Sequence, residues 1–210
     1  MVLRGEAEQK LLETYDAERV PIGQALLAST GEVMETVMTN DDGAGTAPGA
    51  PPAMTDSLLL QHMSGLRTAY PESPLTVGGG DAAQAGPRPG ERLVQVTAEE
   101  AQSAGWTMLR EALRMPGWQL LTIVADKVVT GGEMPEWLGR IEVVAERPEA
   151  GGAHGVQRAW DPEGQVGATL GATDGDWLLM RPDGYLSARG VGEESLRAAL
   201  EALHAQGLRR

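Results

Sequence analysis

The stretch from Tyr70 to Glu91 (YPESPLTVGGGDAAQAGPRPGE) constrains this chain more than any other. Glycine and proline recur throughout it and little in it can be buried, so it reads as an extended connection. A second stretch, Asn40 to Pro52 (NDDGAGTAPGAPP), holds small, turn-forming and acidic residues and reads as an exposed loop. The expected division is a helical segment over 1–70, a Gly/Pro-rich linker over 71–91 and a folded domain over 92–210.

Upstream of the linker the pattern is helical from Glu6 to Thr39. Ala7, Leu11, Leu12 and Tyr15 form one stripe, and Ile22, Leu26, Val33 and Val37 form a second. Pro21 disfavours the α conformation at Val20 and suits a first helical position, which predicts two helices broken near Arg19–Val20. Leu58, Leu59, His62, Met63 and Leu66 predict a further helix over Thr55 to Leu66, capped by Thr55 or Asp56. Downstream, the reading is an α/β unit. It has a helix at Thr107 to Leu113, strands at Trp118 to Ala125 and Arg140 to Ala145, and a short helix at Gly164 to Leu170. The first strand lacks two-fold alternation, as a strand covered on both faces does. WLLM and YLSAR flank Arg181-Pro182-Asp183-Gly184, with Pro and Gly where a type I turn takes them, which predicts a β-hairpin from Trp177 to Arg189. Leu196, Ala199, Leu200 and Leu203, with Glu193 and Glu194 at the start and Gly207 as the stop, predict a closing helix.

Composition narrows the chemistry. Hydrophobic residues are 41% and charged residues 22% of 210, ordinary for a folded globular chain. Seventeen Lys and Arg stand against 30 Asp and Glu, a net charge of −13, which disfavours nucleic acid and anionic membrane surfaces as partners. There is no cysteine, so disulfides, thiolate chemistry and Cys-ligated metals are excluded. There is no Phe either, which leaves the bulk of the core to aliphatic residues, Met and five Trp. The longest largely apolar run, Leu120 to Ala125, is far short of the roughly 20 residues that span a bilayer, and MVLRGEAEQK has no signal-peptide core. The expected location is cytoplasmic.

No catalytic motif is complete. Gly43-Ala44-Gly45-Thr46-Ala47-Pro48 fails the dinucleotide fingerprint at its sixth position and carries a Pro where a helix should open. P-loop, HExxH and GxSxG patterns are missing. His62, His154 and His204 lie on separate segments without a neighbouring ligand. Asp174 and Asp176 read as a turn rather than a metal loop. Tyr15, Asp16, Glu18 and Arg19 read as ion pairing on a helix rather than an acid–base pair. Trp106, Trp118, Trp137, Trp160 and Trp177 read as core rather than a stacking platform. No catalytic, cofactor-binding or metal-binding residue is therefore assigned.

Four patches nevertheless carry a resemblance. Leu11-Leu12-Glu13-Thr14-Tyr15-Asp16-Ala17-Glu18-Arg19-Val20-Pro21 resembles the LLxTYxxERxP stretch closing the FAD domain of flavin-dependent aromatic hydroxylases of the phenol hydroxylase and hydroxyphenylpropionate hydroxylase type, and Val2-Leu3-Arg4-Gly5 is similar to the helix end before it. Ser64-Gly65-Leu66 with Tyr70, and Gly86-Pro87-Arg88-Pro89-Gly90-Glu91-Arg92, are similar to that family's passage into its C-terminal domain. Leu178-Leu179-Met180-Arg181-Pro182-Asp183-Gly184-Tyr185 resembles its LVRPDGY hairpin. The resemblance implies an α/β, thioredoxin-like C-terminal domain over about Arg92 to Arg210, preceded by an N-terminal helical segment. It also implies a parent enzyme that uses FAD and NAD(P)H to hydroxylate an aromatic ring. The family's flavin-contacting motifs lie upstream of this sequence, so no cofactor is expected in this chain and its own role is expected to be structural. The implied partner is the FAD domain, or a second copy in a homodimer, with Leu11, Leu12, Ile22 and Leu26 exposed without one. The alternative is a stand-alone interaction or dimerisation protein with a cysteine-free thioredoxin-like domain.

Overall fold

A computed structural model describes residues 2–39, 68–78, 85–93, 96–126, 134–148 and 155–209. The expected loop at Asn40 to Pro52 and the expected helix at Thr55 to Leu66 lie outside them. The chain divides into two units, Met1–Thr14 with Ala69–Arg210, and Tyr15–Thr68.

In the larger unit five strands form one mixed sheet. β1 (Trp118–Val124), β2 (Leu138–Val144), β3 (Val156–Trp160), β4 (Asp176–Met180) and β5 (Leu186–Val191) lie in the order β3-β2-β1-β4-β5. β1 is parallel to β2 and β2 to β3, while β4 is antiparallel to both β1 and β5. α1 (Glu13–Thr39) leads the chain; α2 (Ala104–Ala112) and α3 (Gln165–Leu170) are linked to one face, and α4 (Gly192–Ala205) packs on β4 and β5. Trp106 and Leu109 of α2 and Val166 and Leu170 of α3 share one core with Leu121, Ile141, Val143 and Leu178. Leu196, Ala199 and Leu203 of α4 share a second with Trp118, Leu120, Trp177 and Leu179. Alternate residues of β1 and β4 thus enter opposite cores, which is why both strands read as continuous apolar runs.

The helix ends follow local chemistry. Ser103 Oγ accepts from Trp106 N at the start of α2, so this helix begins upstream of the expected Thr107. Asp161, buried, accepts from Gln165 N and Val166 N and caps α3. α4 ends in a Schellman turn, with Gly207 N donating to His204 O and Leu208 N to Leu203 O. The expected hairpin is present: Gly184 N donates to Arg181 O, and φ of +83° at Gly184 is open to glycine at no steric cost. Met180 pairs with Leu186 and Leu179 with Ala188, so Ser187 forms a bulge.

Two expectations are corrected. Pro21 does not divide the N-terminal helix; α1 runs through it from Glu13 to Thr39, giving up the single bond a residue-21 N–H would have donated. A 3-10 turn, Gln9–Leu12, precedes α1, and residues 1–14 group with the α/β body. The described part of the 71–91 linker is packed, not merely extended. Tyr70, Ser73 and Leu75 are buried, and Ser187 Oγ donates to Leu75 O. Val77 N donates to Ser187 O, Gly90 N to Leu186 O, and Leu186 N to Glu91 O. These bonds cover the outer edge of β5, which would otherwise be an open template. Finally, β3 was not foreseen in the sequence.

Candidate functional site

Tyr70, Gly90, Arg92 and the Arg181–Tyr185 stretch, all resemblance-bearing, meet at the β4–β5 turn. Arg181, with 5% of its side chain exposed, donates to Asp183 through Nε (3.1 Å) and Nη2 (2.7 Å), and through Nη1 to Ser73 Oγ (3.4 Å). The two-residue spacing lets the turn's own carboxylate fold back onto the guanidinium as a fork. Arg181 also lies 5.6 Å from the Tyr70 ring and 5.8 Å from the Tyr185 ring, which meet edge to face at 4.7 Å. Arg92 lies 4.7 Å over the Tyr185 ring as well. Tyr70 N donates to Gly90 O, and a Cβ at Gly90 would sit 2.7 Å from the Tyr70 carbonyl, so only glycine permits that approach. Three segments distant in sequence are thereby clamped together.

A second arginine does similar work beside them. Arg189 donates to the carbonyls of Ala85 and Pro87 through Nη1 and of Gly171 through Nη2. Burial pushes its guanidinium below the usual range, and the nearby Asp176 opposes that shift. Next to the tyrosines a cleft of about 260 Å³ opens between the end of α2, the start of β1 and the hairpin turn.

The other candidates resolve as packing or turns. Trp106, Trp118 and Trp177 are fully buried, and Trp177 Nε1 donates to Gly192 O and Ser195 Oγ. Trp137 and Trp160 are half-buried and donate to the carbonyls of Arg209 and Ala145. Asp174 accepts from Ala125 N and Asp126 N, and Asp176 from Thr173 N and Oγ1. His204 Nδ1 meets Leu208 O at 2.6 Å; His62 and His154 lie outside the described residues. No group of three metal-ligating side chains occurs among the described residues. On α1, Arg19 sits 5.7 Å over the exposed Tyr15 ring. Leu12 is exposed, whereas Leu11 packs against the second core and Ile22 is half-buried; the Leu26 side chain is outside the described set. Sequence reasoning missed Arg181 and Tyr70 as partners. The Arg-x-Asp spacing in a turn followed by Tyr was the available signal.

Fold and site together define a cysteine-free mixed α/β protein with an N-terminal helix, whose signature residues brace the structure. No protein-family model matches the chain. The chain's homologues are flavin-dependent monooxygenases, of which it matches a part. It is 37% identical over 224 residues (97% of this chain) to 6-methylpretetramide 4-monooxygenase of Streptomyces rimosus. To pentachlorophenol 4-monooxygenase of Sphingobium chlorophenolicum it is 30% identical over 204 residues (90% of this chain). The chain spans 38% and 36% of the length of these two curated relatives. The solved flavin-dependent monooxygenase PieE, in complex with FAD and substrate, has a similar fold, with TM-score 0.55 at 17% identity over 98% of this chain and 41% of that one.

Proposed function

We propose that this chain is the C-terminal portion of an FAD-dependent aromatic-ring monooxygenase and serves that enzyme in a non-catalytic, structural or subunit-contact role. The observation that carries this reading is the 37% identity over 97% of the chain to a monooxygenase of which it spans only 38%. We assign no FAD to this chain's own described residues. The first N–H groups of α2 are capped by Ser103 and those of α3 by Asp161, and α4 opens with Glu193 and Glu194, whose charge opposes a phosphate. Flavin, NAD(P)H and the hydroxylation itself are therefore assigned to the remainder of such an enzyme, and the FAD domain is the proposed partner. The fold also supports a thioredoxin-like reading, with a parallel β1–β2 pair followed by the β4–β5 hairpin and α4 on the sheet. Among the described residues no helix is long and apolar enough to cross a membrane.

Titration of the purified chain with FAD, followed by flavin absorbance and fluorescence, tests the reading. The expected result is no saturable change. Saturable binding with a perturbed flavin spectrum would overturn the non-catalytic assignment.

A further inference from the structure

The two edges of the sheet differ. The outer edge of β5 is covered by the stretch after Tyr70, through the backbones of Val77, Gly90 and Glu91. The opposite edge is β3. In a parallel pair, alternate residues turn both backbone groups toward the neighbouring strand and those between turn them away. Asp161 N donates to Val144 O, so Ala159 and Gln157 also face β2, and Val156, Arg158 and Trp160 face outward. Among the described residues, nothing accepts from the N–H groups of Arg158 and Trp160 or donates to their carbonyls. An edge in this state is a template for another strand.

Three features of β3 suit it to a copy of itself. The protein carries a net charge of −13, yet β2 and β3 hold Arg140 and Arg158 against Glu142 alone, so two copies meet here without acidic repulsion. The sequence is also self-complementary. When two β3 strands run antiparallel about an axis at Ala159, Arg158 of each copy stands opposite Trp160 of the other, and the two exchange both backbone bonds. Arg158 Nε is held by Glu142 Oε2 at 3.0 Å, which leaves its outer nitrogens for the second copy's indole. Arg147 lies 5.4 Å over the Trp160 ring, and an indole has a second face. An axis at Arg158 would instead set two arginines directly opposite, which is destabilising. The third feature is Met108, an apolar side chain 37% exposed on α2. Arg110 and Leu113, which line the cleft by the β4–β5 turn, mark the flank of that helix facing the middle of the sheet. Met108 is on the opposite flank, toward β3, where pairing would bring the two copies' methionines together.

We propose that β3 is a self-association edge, through which two copies of this chain pair antiparallel about Ala159 into one continuous sheet. A five-residue edge is small beside the roughly 1,200–2,000 Å² of a standard interface, so the dimer is weak and concentration-dependent. This gives the subunit-contact role a surface without resting on the flavoenzyme reading, which the FAD titration tests separately.

The test uses the full 210-residue chain, labelled with nitrogen-15. Sedimentation velocity from about 10 μM to 1 mM follows the mass, and amide exchange at both ends of that series locates the contact. A shift from monomer to dimer is expected. Exchange at Arg158 and Trp160 should slow several-fold in the concentrated sample, while Gln157 and Ala159, already bonded to β2, change little. Arg158→Ala removes the guanidinium and is expected to weaken the dimer several-fold. Arg158→Pro removes in addition an N–H that makes no bond within the chain, so it should match the far-ultraviolet spectrum of Arg158→Ala and stay monomeric throughout. A wild-type chain that remains monomeric to about 1 mM would overturn the proposal. So would a dimer that leaves the Arg158 and Trp160 amides unprotected, or one that Arg158→Pro forms equally well. An Arg158→Ala dimer tighter than wild type would put the axis at Arg158 and overturn the pairing as well.

Discussion

Replacing Arg181 with methionine keeps an apolar stem beside Tyr70 and Tyr185 but removes the donors to Asp183 and Ser73. Because Asp183 is 43% exposed, its stranded carboxylate can be rehydrated, and the expected loss is about 1–3 kcal/mol rather than the larger cost of orphaning a buried charge. Urea denaturation of Arg181→Met against wild type measures it, and Arg181→Lys should recover only a fraction, since an ammonium cannot make the fork. Glu100 supplies a pH prediction. Its carboxylate accepts from Thr97 N and Oγ1 and from Thr169 Oγ1, and these bonds hold it below the ordinary 4.5. A carboxyl depressed in the folded state stabilises fully above its unfolded value and loses that contribution as pH falls through the folded one. Carbonyl chemical shifts should therefore show Glu100 titrating below pH 4.5, and Glu100→Gln should flatten the acid limb of the stability curve. Neither pairing is legible in sequence beyond its local half. Arg181–Asp183 and Thr97–Glu100 are short-range, whereas Tyr70, Ser73 and Thr169 arrive only through the fold.

At the scale of elements, the hairpin and α4 were legible because their signals are local and redundant. Turn residues sit between apolar runs, and an apolar stripe runs between acidic and glycine ends. β3 was not, since Val156, Gln157, Arg158, Ala159 and Trp160 offer no clean alternation. Its identity comes from pairing with β2, where Arg158 Nε donates to Glu142 Oε2 at 3.0 Å. The stretch after Tyr70 misled for a related reason. Proline and glycine counted there as signs of looseness, yet Gly90 is what lets that backbone touch Tyr70. Pro21 misled in the other direction, because a long helix can tolerate the loss of one bond. Pro21→Ala is expected to strengthen α1 by up to about 3 kcal/mol and to raise the helical far-ultraviolet signal. An unchanged spectrum and melting curve would show that the proline is not limiting.

At the scale of the molecule, the larger unit is assembled from both ends of the chain. Ala7 bridges Leu208, Glu8 N donates to Gly207 O, and Arg209 N donates to Glu6 O. Lys10 Nζ adds a bond to Ala205 O. A stretch that composition alone would join to α1 thus belongs with α4, and no local pattern announces a pairing across 201 positions. Deleting residues 1–8 should cost about 1–3 kcal/mol, the sum of a few net backbone hydrogen bonds, and amide exchange at Leu208 and Arg209 should quicken selectively. Uniform exchange across the sheet would instead mean that the strap is essential to the whole body.

The same bridge has a mechanical meaning. Two strands running antiparallel and gripped at adjacent ends come away bond by bond when pulled, like a zip, whereas a sheet loaded along its strands must shear many bonds at once. Drawn apart by its termini, this protein should yield first at Ala7 and Leu208, at low force and reversibly, and bear the main load only after that slack has run out.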